Sequence, residues 1–130
     1  MERVIPFKKC SEWARRPYAN SNLSNSYALF FALPDSITIP PRTEVEVSVG
    51  VSVTIPDTHV GLILPMNKTH RHGVKLSNTI ELLSTQDEEI FLSVENTRYD
   101  DVVKLYPEVP LFQIVFVRSD QFALCDVFGR

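Results

Sequence analysis

The chain is poor in cysteine: Cys10 and Cys125 stand near opposite ends, with no Cys-x-x-Cys or Cys/His spacing. That excludes a disulfide framework or a thiolate zinc site and predicts two free thiols. No apolar run approaches the roughly 20 residues of a membrane span. The start, MERVIPFKKCSEW, lacks the uninterrupted apolar stretch of a signal peptide. These absences predict a soluble intracellular protein with no membrane partner, whose sequons at Asn22 and Asn67 need no sugar. Basic charge is also scarce: thirteen Lys and Arg against sixteen Asp and Glu give a net charge of −3, dispersed along the chain. That leaves no electrostatic footprint for nucleic acid, so no DNA or RNA partner is expected. Helical periodicity is missing too. The lone candidate helix, SEWARR near the start, is too short to stand alone. There is no linker, repeat or low-complexity segment, and the Asn/Ser cluster from Asn20 to Ser26 reads as a loop.

What is present is alternation. Val45, Val47, Val49, Val51 and Val53 fall on one face of an extended segment, and Glu44, Glu46, Ser48, Ser52 and Thr54 on the other. That predicts one long strand, or two, with a buried face. Further strands are expected at Ser26 to Ala32, Val60 to Leu64, Glu89 to Val94 and Leu111 to Val117, with Pro, Asp and Asn marking the turns. Short strands at regular spacing, separated by nine prolines, indicate an all-β barrel or jelly roll. The 130 residues make one domain, with a core over about 26–117 and an arm at each end.

The chemically loaded stretch is LPMNKTHRHGVKLSN, Leu64 to Asn78. Its charge is consistent with a solvated loop. Two functional readings stand beside that one: an anion pocket made by Lys68, Arg71 and the loop amides, or a contact surface for another protein. His70 and His72 form a His-x-His pair, but a metal clip needs a third ligand, and His59 would have to come from another turn. No metal or other cofactor is expected.

The pieces ITIPP, VSVTIPDTHVGLILP, HGVKLSN, EIFLSVEN and PEVPLFQIVFV together resemble the dUTP pyrophosphatase (dUTPase) family in order and spacing, from about Ser26 to Val117. The resemblance implies a jelly-roll subunit of a homotrimer with active sites at the interfaces. Such enzymes hydrolyse dUTP to dUMP and pyrophosphate, with magnesium held mainly by the triphosphate. Pro40, Pro41, Gly61, Pro65, Gly73, Asn78 and Gln113 match the family's scaffold. At the positions that carry its chemistry the carried-over pattern departs. The first carboxylate becomes Ala28, and the phosphate-loop arginine becomes Met66 in a loop one residue shorter. The water-activating aspartate falls on Leu83, the sugar-stacking tyrosine on Gln86 and a later arginine on Pro110. Methionine donates nothing to a phosphate and leucine is no base. This reading implies a catalytically inactive member.

Phe30-Phe31-Ala32-Leu33-Pro34-Asp35-Ser36-Ile37-Thr38-Ile39-Pro40-Pro41 also resembles dUTPase-derived adaptor proteins from early region four of adenoviruses. That resemblance implies a viral regulatory protein acting on host signalling in the cytoplasm or nucleus through an unidentified host protein. The contact residues would be Met66, Lys68, His70 and Arg71, with Trp13 and Phe122 as anchors. A PDZ contact is not expected, because the chain ends Asp126-Val127-Phe128-Gly129-Arg130 without the terminal hydrophobic residue that pocket needs. The alternative is a divergent dUTP pyrophosphatase or nucleotide binder with rebuilt residues, namely Asp87 with Lys68, His70, Arg71 and His72. A structural jelly roll of the capsid kind is the remaining class.

Overall fold

Valine at every second position buries one face only if the backbone is extended, and a computed structural model forms these segments as strands. It describes residues 4–20, 25–77, 81–83, 88–120 and 122–129, with the backbone alone for Glu81 and Leu82. The strands are β1 (Phe7–Lys9), β2 (Tyr18–Ala19), β3 (Ser26–Leu29), β4 (Ile37–Ile39), β5 (Glu44–Ser48) and β6 (Val51–Val53). They continue as β7 (His59–Pro65), β8 (Val74–Leu76), β9 (Glu81–Leu83), β10 (Phe91–Asn96), β11 (Val103–Leu105) and β12 (Phe112–Arg118). A five-stranded sheet runs β2-β3-β12-β7-β9, a three-stranded one β5-β10-β8, and β1-β6 and β4-β11 pair separately. Every pairing is antiparallel. The all-β class expected from alternation is the one observed.

The long strand expected over residues 37–56 is broken twice. Pro40 and Pro41 cannot donate to a ladder, and Arg42 turns the chain at φ 57°. Gly50 breaks it again at φ 72°, where an added Cβ would lie 2.6 Å from the Cβ of Ala32 and 2.9 Å from that of Ala14. The valine side keeps its phase across both breaks, with Val47, Val49, Val51 and Val53 buried and Glu44, Glu46 and Thr54 exposed, but Ser52, expected on the outer face, is buried where β1 pairs alongside β6. The SEWARR segment is a turn, not a helix, with Ala14 N–H donating to the Ser11 carbonyl at 3.1 Å. Six residues cannot offset helix nucleation, and the segment is instead strapped to the barrel by Cys10 N–H to the Gly50 carbonyl at 2.7 Å. Cys10 and Cys125 are free and exposed. Among the described residues no helix is long and apolar enough to cross a membrane.

The core joins Leu29, Phe31, Ile39, Ile63, Leu92, Leu105, Phe112 and Ile114 with the valine face. Within it sits one fully enclosed amide. Asn96 donates Nδ2 to the carbonyls of Ile39 (3.0 Å), Pro40 (3.1 Å) and Asp101 (2.9 Å), while Oδ1 accepts Arg98 N–H at 2.9 Å. It ties the proline break to the β10–β11 connection. Asn96→Ala strands those carbonyls and is expected to cost about 3 kcal/mol. A lower urea midpoint at unchanged m-value is the readout.

Candidate functional site

The site is organised by β12, which pairs with β3 on one side and β7 on the other, setting Phe112 opposite both Leu29 and Pro65. β7 ends at Pro65, and the chain must turn back toward β8. It does so through a single 3₁₀ turn, Thr69–His72, closed by Gly73 in the left-handed region at φ 75°. Thr69 is the inward anchor, buried and donating Oγ1 to the Leu111 carbonyl at 2.5 Å. Met66 N–H donates to the same carbonyl at 2.9 Å. Gln113 Nε2 donates to the Pro65 carbonyl at 2.9 Å. On the far side, Thr97 N–H and Oγ1 both donate to the Gly73 carbonyl, at 2.8 and 3.0 Å.

With Thr69 turned inward, Asn67, Lys68, His70, Arg71 and His72 are left exposed. No carboxylate lies between Pro65 and Leu76 in the sequence. Lys75 has a partner in Glu95 at 3.9 Å, whereas Lys68 and Arg71 form no ion pair among the described residues. The sequence reading missed Arg98. Its side chain crosses Gly73, where an added Cβ would meet it, and its Nη2 donates to the Arg71 carbonyl at 3.4 Å. The signal that could have found it is Gly73 itself, since a left-handed glycine also leaves room for a neighbouring side chain. Two cations and two imidazoles on one tethered turn, with Arg98 reaching across from the β10–β11 connection, make a surface for an extended anion such as a polyphosphate.

The other predicted positions are spread over the fold. Ala28 and Gln113 face each other across the β3–β12 pair, beside the loop. Met66 is half-buried in the loop itself, and Pro110 is half-buried in the turn that precedes β12. Leu83 is elsewhere: on β9 opposite Gly61, 7% exposed and part of the apolar core. It is not on a solvent face where a base would meet water. Gln86, Asp87 and Asn78 lie outside the described residues. Among the scaffold residues, Pro40 gives its carbonyl to Asn96, Pro41 gives its own to Thr43 Oγ1 at 3.1 Å, and Gly61 sits where an added Cβ would be 3.1 Å from both Ile55 and Ile114. Trp13 and Phe122 are 46% and 85% exposed.

His59 begins β7, whereas His70 and His72 follow its far end, about 20 Å away at ~3.3 Å per residue. The three histidines therefore do not meet. Among the described residues no three His, Cys, Asp or Glu side chains are grouped to hold a metal. A cavity of about 450 Å³ lined by Phe7, Tyr27, Val53, Ile114 and Phe116 lies on the opposite face of the five-stranded sheet from Gln113.

No family model matches the sequence. Curated proteins do. The chain is 30% identical over 134 residues to the deoxyuridine 5'-triphosphate nucleotidohydrolase of Acinetobacter baylyi, covering 95% of this chain and 89% of the relative. It is 34% identical over 109 residues to the enzyme of the same name from Acinetobacter baumannii, covering 82% and 71%. Among solved structures, a variant dUTPase of Staphylococcus bacteriophage 80alpha with dUpNHpp superposes with a TM-score of 0.85 at 16% identity, over 97% of each chain. The dUTPase of phage phi11 of S. aureus gives 0.83 at 16% identity, over 96% of each. The two phage structures establish the fold.

These relatives overturn the expectation of an inactive viral adaptor. The curated proteins matching most of the chain are bacterial nucleotidohydrolases, and none is an adaptor. The physical reason at the water-activating position is burial. Leu83, assigned to the water-activating position, is a core residue, so its identity says nothing about a base.

Proposed function

The chain belongs to the deoxyuridine 5'-triphosphate nucleotidohydrolase family, and on that premise we propose that it is a divergent dUTP pyrophosphatase with rebuilt phosphate donors. The observation that carries this reading is the tethered, carboxylate-free loop at the end of β7, which presents Lys68 and Arg71 with Arg98 behind them. In this reading the loop holds the triphosphate of magnesium-bound dUTP, and stabilises the charge that gathers on the leaving pyrophosphate. Water attacks a phosphorus atom, the bond to the bridging oxygen breaks, and dUMP and pyrophosphate leave. Asp87 is the residue we assign to orient that water. Of its acidic neighbours, Glu89 is engaged by Ser48 Oγ at 2.6 Å. His70 and His72 flank Arg71 and add imidazoles to the rim.

The homotrimer is part of the same proposal. The C-terminal segment leaves Phe122, Leu124, Val127 and Phe128 between 84% and 102% exposed, an apolar surface that a single chain does not cover. Sedimentation or light scattering showing a stable monomer at micromolar concentration would remove the trimer.

The activity test is pyrophosphate release from magnesium-dUTP, beside dTTP and dCTP, with a known dUTPase as control. Release with dUTP preferred is the expected outcome. No release above background, at protein concentrations where the control is saturating, would overturn the proposal.

A further inference from the structure

We infer that Gln113, oriented by Ser26, is a positioning residue that sets the phosphate loop from outside it; this rests on the function proposed above. Ser26 is completely buried on β3 and donates Oγ to Gln113 Oε1 at 2.5 Å. The carboxamide of Gln113 is thereby fixed: its oxygen is taken by Ser26, so its Nε2 is directed at the Pro65 carbonyl, 2.9 Å away. Register makes this possible. Gln113 stands directly opposite Ala28 on β3 and opposite Leu64 on β7, so it spans both neighbours of β12. Ser26 lies two residues from Ala28, on the same face. Ala28, small and buried, leaves the space through which the two polar groups meet.

The bond to Pro65 matters because proline has no N–H, so its carbonyl is the group of that residue through which the backbone can be held. It is the last residue of β7 before the loop. Two further bonds, from Met66 N–H and Thr69 Oγ1 to the Leu111 carbonyl, fasten the following residues to the same strand. Three consecutive residues, Leu111–Gln113, thus carry the near side of the loop. Gln113 contributes the one side-chain contact among them that comes from β12 and can be adjusted without altering the loop's own sequence. Lys68 and Arg71 are then delivered at a fixed height above the sheet rather than by a free tether, which is what preorganisation requires.

The test uses the full chain carrying Ser26→Ala, Gln113→Glu, or both. Gln113→Glu keeps an acceptor for Ser26 but cannot donate to Pro65. Ser26→Ala frees the amide to rotate. The first readout, amide hydrogen exchange across residues 66–73 of the free protein, needs no turnover. Exchange about five- to tenfold faster in either variant is expected from the loss of one hydrogen bond. The double variant should be no faster than Gln113→Glu alone, because both changes act through one contact. The second readout is KM for magnesium-dUTP, expected to rise severalfold with kcat within about twofold. Unchanged loop exchange in both variants, or additive effects in the double, would overturn the inference. Faster exchange in a protein that proves unable to release pyrophosphate would leave the positioning intact and remove only the proposed activity. Should Gln113→Glu fail to fold, Ser26→Ala carries the same comparison.

Discussion

Leu83→Asp is expected to unfold the protein rather than to supply a general base. Leu83 sits in the apolar core on β9, opposite Gly61, a position so crowded that an added Cβ there would touch Ile55 and Ile114 at 3.1 Å. A carboxylate at Leu83 would have no cation among its core neighbours. It must either be buried charged, at a cost of several kcal/mol, or be held protonated, which itself lowers stability at neutral pH. Losing a buried leucine adds roughly 2–4 kcal/mol through lost transfer energy and a cavity. The sum is comparable with the whole stability of an ordinary domain, about 5–15 kcal/mol. The expected result is loss of a cooperative thermal transition at pH 7, while Leu83→Met, nearly equal in volume, stays within about 1.5 kcal/mol of the parent. A folded Leu83→Asp protein with faster dUTP hydrolysis would show instead that the side chain faces the site.

The same residue shows where the sequence was legible and where it was not. Alternation identified the valine face correctly, because burial of every second residue is a local property with a fixed period. The proline pair and the strand at 112–118 were equally readable, each depending on chemistry within a few residues. The family resemblance was legible too, since glycine and proline positions record backbone shape. The site was not, for two reasons. Its cations are brought together by pairings invisible in one dimension: Arg98 reaches Gly73 only because Asn96 and Thr97 pin the β10–β11 connection beside it. Its substitutions were judged by position against a pattern, and a pattern does not show that Leu83 is enclosed in the apolar core. Gln113 was seen as scaffold, yet what it holds follows only from Ser26 and Pro65 arriving on either side.

Lys68→Ala/Arg71→Ala is expected to lower kcat/KM for magnesium-dUTP by about 100- to 10,000-fold while barely moving the melting temperature. Both side chains are exposed and neither forms an ion pair among the described residues, so their removal leaves no buried group unsatisfied. A hydrogen bond from a charged donor to a phosphate is worth roughly 1.5–3 kcal/mol, and two of them give the range stated. How the loss divides is as informative as its size. If the loop grips substrate and transition state alike, KM rises and kcat holds; if it meets the charge that develops on the departing pyrophosphate, kcat falls as well. Asp87→Asn supplies the contrast: a water-orienting carboxylate should lower kcat by 100-fold or more with KM nearly unchanged. Turnover untouched by the double substitution would place the triphosphate away from this loop. A drop in kcat for Asp87→Asn together with a loss in kcat/KM for the loop variant would divide the reaction between two parts of the chain: the turn that follows β7, which holds the leaving group, and Asp87, which directs the water.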